Sequence, residues 1–111
     1  MEHADLRDLV QFGDDVSRRT VFETARLWSE LLCLDRNQMI GPVTDPDADA
    51  IFTIAAGEAV FMVDGARRRL GQWASVLVAA GSEVTVTNAS EDPLVLFLVA
   101  APPPVPRPVT G

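Results

Sequence analysis

From Ser17 onward the chain is a series of short apolar runs, RTVFET, LWSELLCL, DAIFTIA, EAVFMV, SVLVA, EVTVTN and PLVLFLVA. Between them stand DRN, GPVTDPD, AAG, DG, a second AAG and NASEDP, each supplying Gly, Pro, Asn or Asp where a chain reverses. The runs are rich in Val, Phe, Ile and Thr, which suit a pleated, half-buried surface. Turn signals recurring every ~8–12 residues predict an all-β sandwich or barrel. The sharpest of them is Val63-Asp64-Gly65-Ala66, where Asp-Gly between apolar runs favours a two-residue type I′ hairpin.

The ends read differently. Leu6, Leu9 and Val10 in ADLRDLVQ have helical spacing, so a short helix or turn is expected over residues 4–11, ended by Gly13. The closing APPPVPRPVTG carries five prolines in its last ten residues and cannot enter a sheet interior, because proline lacks the N–H donor. Polyproline II along the surface or disorder is the expectation there, with recognition by a proline-binding partner the weaker alternative. With 111 residues the chain makes one domain, divided as an N-terminal segment 1–16, a barrel 17–102 and a Pro-rich tail 103–111.

Charge and residue counts narrow the function. Sixteen acidic against nine basic residues give a net charge of −7, a field that repels phosphate backbones. The single basic run, Arg67-Arg68-Arg69, is too small to reverse that, and no nucleic-acid partner is expected. A lone cysteine, Cys33, rules out an internal disulfide and reads as a buried inert thiol in LLCL. The one histidine, His3, sits at the terminus, away from any Cys–His pair. MEHADLRDL does not resemble a secretion signal, and no apolar run approaches the ~18 residues that span a bilayer. A cytoplasmic protein without a membrane partner is the expectation.

Residues 34–102 resemble a small single-domain cupin, a jelly-roll barrel also called a double-stranded β-helix. GPVTDPDADAIFTIAAG and GEAVFMVDG carry the likeness, as does VFETARLWSELLCL, which is similar to the strands preceding the motif in compact bacterial members. Taking Gly57 as the last glycine of the family's first motif puts its Glu at Ala50, its two His at Asp45 and Val43, and its leading glycine at Asn37. Gly81 and Asn88 fit the last glycine and the asparagine of the second motif, placing the third His at Val84, the proline at Ala79 and the first glycine at Trp73. The resemblance implies an all-β cupin barrel, and for the family a metal held by three imidazoles and a carboxylate.

The chemistry of that metal fails here. Valine and alanine have no lone pairs, and one Asp falls short of the three protein ligands a catalytic site carries. Asp45, Asp47 and Asp49 alternate as in a calcium loop, but Ala50 stands where that loop needs Gly and Ala56 where it needs Glu. No metal or other cofactor is expected, and the three aspartates read as a polar loop.

Strand alternation assigns the former ligand positions and their neighbours to the barrel lining: Val43, Asp45, Ala50 and Val84, with Phe52, Ile54 and Val86, and with Met39 unless the Gly41-Pro42 step breaks register. Such a lining suits either a packed core or a small apolar pocket. Trp28 and Trp73 are expected to bury against a sheet face or an interface, Asn88 to cap its turn, and the three arginines to decorate an edge. Three functions stay open: a non-metal cupin acting as a binding or scaffold module for a small apolar molecule, a metal-independent isomerase or epimerase using Asp45, or a surface-mediated interaction module. The first, with no catalysis, is the leading expectation. A homodimer, paired through sheet faces or exchanged N-terminal strands, is the expected partner relation.

Overall fold

The computed structural model describes residues 1–104. Among these, a single 3-10 turn, Leu6–Leu9, is followed by nine strands: β1 (Ser17–Glu23), β2 (Trp28–Leu34), β3 (Met39–Thr44), β4 (Asp49–Ala56), β5 (Ala59–Val63), β6 (Ala66–Leu70), β7 (Ser75–Val78), β8 (Glu83–Thr87) and β9 (Leu94–Ala101). They form a five-stranded sheet in the order β1-β2-β9-β4-β7 and a four-stranded sheet in the order β3-β8-β5-β6, every pairing antiparallel. From β2 to β9 the chain passes repeatedly from one sheet to the other, which is the jelly-roll arrangement. The chain is therefore all-β, as its turn spacing predicts.

The core lies between the sheets. Phe52 of β4 and Phe61 of β5 meet edge to face across it, with ring centroids 5.7 Å apart at 69°. Leu34, Ile54, Val86 and Leu96 are wholly buried around them. A second cluster sits on the outer face of the larger sheet. There Leu31, Cys33 and Val95 are covered by Leu6, Leu9 and Phe12, so the N-terminal segment packs on a sheet rather than hanging free.

Turn chemistry follows the sequence at several points. Asp64 and Gly65 have φ of 49° and 84°, the left-handed pair that a type I′ turn requires, and Val63 pairs with Ala66. Asn88 is fully buried. Its Nδ2 donates to the Leu34 and Asp92 carbonyls, each at 2.9 Å, while its Oδ1 accepts from the Ser90 backbone N–H and hydroxyl. One amide thus ties the end of β2 to the loop before β9. The arginine run lies on β6, an edge of the four-stranded sheet.

Two expectations are corrected. GPVTDPD is not simply a turn, because residues 41–44 belong to β3, an edge strand where Pro42 is tolerated at a bulge between Ile40 and Val43. Over 41–57 the chain crosses between the sheets, since β3 pairs with β8 and β4 with β9 and β7. Trp73 is 76% exposed, so it does not bury against a sheet face of its own chain, because it stands in the loop before β7 with a left-handed φ of 74°. Trp28, by contrast, is in the core. The expected polyproline tail falls largely on residues 105–111, outside the described residues.

Asn88→Ala leaves the Leu34 and Asp92 carbonyls without their donor, at about 1–3 kcal/mol for a buried group. A loss of about 2–4 kcal/mol in urea unfolding is expected, and Asn88→Asp, which can only accept, should not restore it. A loss below about 0.5 kcal/mol would contradict the role assigned to this amide.

Candidate functional site

A pocket of about 430 Å³ opens at one end of the barrel, between the two sheets. Phe52 belongs both to the core cluster and to the pocket wall, as Trp28, Leu32, Ile40, Val78, Val84, Leu98 and Ala100 do, so the pocket is continuous with the core. Trp28, Leu32, Ile40, Val78 and Leu98 make much of the remaining wall. Room is left by small residues: Gly41, Ala48, Ala50, Ala79 and Ala100 also line it.

The positions expected on the barrel lining separate into three groups. Val43, Asp45, Ala50, Phe52 and Val84 line the pocket. Ile54 and Val86 point inward but lie in the packed core. Met39 is 48% exposed and does not line the pocket, a correction to the inward placement. The reason is register. Ile40 pairs with Val86 and Val43 with Val84, so the bulge inserts one residue and turns Met39 outward while Ile40 takes the inner face. Gly41 carries the bulge at φ +89°, where a Cβ would strike the Val84 carbonyl oxygen.

Asp45 has a structural task. Its Oδ1 accepts from the backbone N–H groups of Asp47 and Ala48, at 2.9 and 3.0 Å, closing the turn that carries the chain from β3 to β4. Asp49 accepts from the Ala80 N–H at 2.9 Å. Among the described residues no group of three or more His, Cys, Asp or Glu side chains is placed to hold a metal ion. The family's metal does not fit this donor set. Cys33 is buried outside the barrel, and burial pushes its thiol up from the ordinary range.

The polar feature missing from the sequence reading is Glu30. It alternates with Trp28 and Leu32 along β2 and so faces the barrel interior, where its side chain is fully buried. Arg18 of β1, a pocket-lining residue, donates to its Oε1 through Nε at 3.0 Å and also through Nη2. Oε2 has no partner among the described residues. Burial raises the pKa of Glu30, opposed by the Arg18 hydrogen bonds and charge. The sequence offers one signal for it: a charge inside LWSELLCL, on the parity that faces the core.

No protein-family model matches the sequence, and comparison with curated proteins gives no match. Solved structures do resemble it. TT1209 from Thermus thermophilus is 27% identical, with 97% of this chain aligned to 100% of that one at a TM-score of 0.87. A conserved protein with a double-stranded β-helix domain from Klebsiella pneumoniae is 19% identical over 92% of this chain and 90% of its own, at 0.85. The cupin domain of Schizosaccharomyces pombe Cnp3 is 13% identical over 89% and 72%, at 0.82. The chain has the cupin fold. No described helix is long and apolar enough to cross a membrane.

The native state holds the Glu30 proton more tightly than the unfolded chain does. Its contribution is therefore full below the ordinary glutamate range and declines as pH rises through the raised native value. Urea unfolding of wild type and Glu30→Gln, compared from pH ~4 to ~7, should give a difference that falls with pH. A difference that rises with pH would mean that Arg18 outweighs burial.

Proposed function

We propose that this chain is a metal-free cupin-fold module that binds a small apolar molecule in the pocket at the end of its barrel. The observation that carries this reading is the unfilled space of about 430 Å³ behind largely apolar walls, within the roughly 300–1,000 Å³ usual for small-molecule sites. The substitutions that remove the family's metal also suit an apolar guest, since Val43, Ala50 and Val84 present methyl groups where ligating atoms would stand. Isomerase-type catalysis by Asp45 has less support. Its carboxylate is engaged in the turn, and acid–base work needs a second positioned group. Glu83 is exposed on β8, outside the lining residues.

A thermal-shift screen of small aliphatic and aromatic compounds is expected to find saturable stabilisers. Ala50→Leu, which builds into the pocket from β4, should keep the fold and weaken those compounds by at least about tenfold. Absence of any stabiliser, or equal binding by Ala50→Leu, would count against the reading.

A second surface favours self-association. Ile51 and Leu77 face each other across β4 and β7 and are 45% and 66% exposed, on the sheet edge beside exposed Trp73. The left-handed backbone at Trp73 costs about 1–2 kcal/mol for a residue with a Cβ, which suggests retention for a surface role. We propose a homodimer through this face. Trp73→Gly should hold or raise monomer stability while weakening association in light scattering. A wild-type monomer at micromolar concentration would refute the dimer.

A further inference from the structure

Strand β6 ends the four-stranded sheet, and its outer edge has no strand beside it among the described residues. The hairpin fixes which backbone groups that edge presents. Val63 and Ala66 close the two-residue Asp64-Gly65 turn and so share hydrogen bonds, and in an antiparallel ladder such pairs alternate with pairs that share none. Arg68, opposite Phe61, therefore bonds to β5, while Arg67 and Arg69 turn their N–H and C=O groups outward. The far side of β5 agrees with this phase. The Asp64 N–H donates to the Glu83 carbonyl at 3.0 Å, so the groups of Met62 and Val60, two and four residues back, face β8 rather than β6.

This open edge is cationic in a chain whose net charge is −7. Arg67, Arg68 and Arg69 are all exposed. Arg69 pairs with Glu58 at 2.7 Å, Arg68 donates through Nη1 to the Arg67 carbonyl, and the Arg67 guanidinium has no partner among the described residues. A second copy of β6 laid along this edge would set arginine against arginine, which is destabilising across a strand pair, whereas opposite charges there attract. The residues that repel a copy thus favour an acidic strand. Arg67 and Arg69 share one face of the sheet, because alternate side chains do. On that face Met62, opposite Arg67, is 43% exposed beside a groove of about 230 Å³ that Arg67, Met62 and Thr85 help to line. Such a volume is below the roughly 300–1,000 Å³ of small-molecule sites and suits the stem of a single side chain.

We propose that β6 accepts an extended acidic segment of another protein, added antiparallel as a fifth strand of the smaller sheet, with glutamates at every second position. Main-chain hydrogen bonds to Arg67 and Arg69 hold the segment, and the glutamates opposite them meet the guanidinium groups on the outer face. Consecutive acidic residues would send every second carboxylate to the other face. The surface shares no lining residue with the barrel pocket and lies on the other sheet from Ile51 and Leu77, so it stands or fails independently of both.

The test titrates fluorescein-labelled peptides with the full-length protein, read by fluorescence anisotropy. Thr-Glu-Thr-Glu-Thr-Glu-Thr should bind saturably, at least about tenfold more tightly than the same peptide with lysine for glutamate. In the proposed register the glutamate amides face β6 and the threonine amides face away. N-methylation of two of the glutamates should therefore weaken binding at least about tenfold, and N-methylation of the two internal threonines, at equal charge, by about twofold or less. Arg67→Glu, an exposed change whose folding circular dichroism checks, should bring the acidic and lysine peptides within about threefold of each other. No saturable binding of the acidic peptide would leave the arginines as a block on pairing and overturn the proposal. Equal loss from the two N-methylations would mean ionic attraction without strand addition and overturn it too. Tighter binding of an oligothymidylate than of the acidic peptide would make the edge a phosphate-backbone site, with the same consequence.

Discussion

Two sheets must each bury one face against the other, and the contact of Phe52 with Phe61 is where they do so. Phe52 arrives from the five-stranded sheet and Phe61 from the four-stranded one. On one side of Phe52, large side chains fill the interior at the density expected of a protein core. On the other side alanines and Gly41 stand among the larger residues of the wall, and the same two sheets enclose space. Core and pocket are one interior divided by side-chain volume.

The backbone at the positions that match the cupin motifs follows those motifs, while several of the side chains differ from them. The four positions that match family glycines are Asn37, Gly57, Trp73 and Gly81, and all four have left-handed φ, between 67° and 87°. Two still carry glycine. Asn tolerates this conformation through local hydrogen bonding, whereas Trp does not, so position 73 retains the bend without the residue suited to it. The ligand positions show the complementary case. Val43, Asp45, Ala50 and Val84 all face the pocket that a metal would have shared, but only Asp45 has an oxygen to offer, and that oxygen closes a turn.

Arg18 and Glu30 are the polar exception within an apolar interior. A buried carboxylate needs compensation, and Arg18 supplies it to one oxygen only. Because β1 is an edge strand, its arginine reaches both the carboxylate behind it and the open space in front. The pair joins the stability of the larger sheet to the character of the pocket wall.

Period-two alternation and the spacing of Gly, Asp and Asn were enough to determine an all-β chain, the Asp64-Gly65 hairpin and the capping by Asn88. These are local properties, fixed by backbone sterics and by which side chains have lone pairs. Tertiary structure decided the rest. The Gly41-Pro42 step marked a place where register could break, and the one-residue bulge there exchanged Ile40 for Met39 on the inner face, an outcome visible only against the partner strand. Whether the interior is filled or open depends on volumes contributed by strands far apart in sequence. Glu30 acquires meaning only when β1 brings Arg18 beside it and leaves one oxygen without a partner among the described residues, a pairing of residues that the sequence separates by twelve positions.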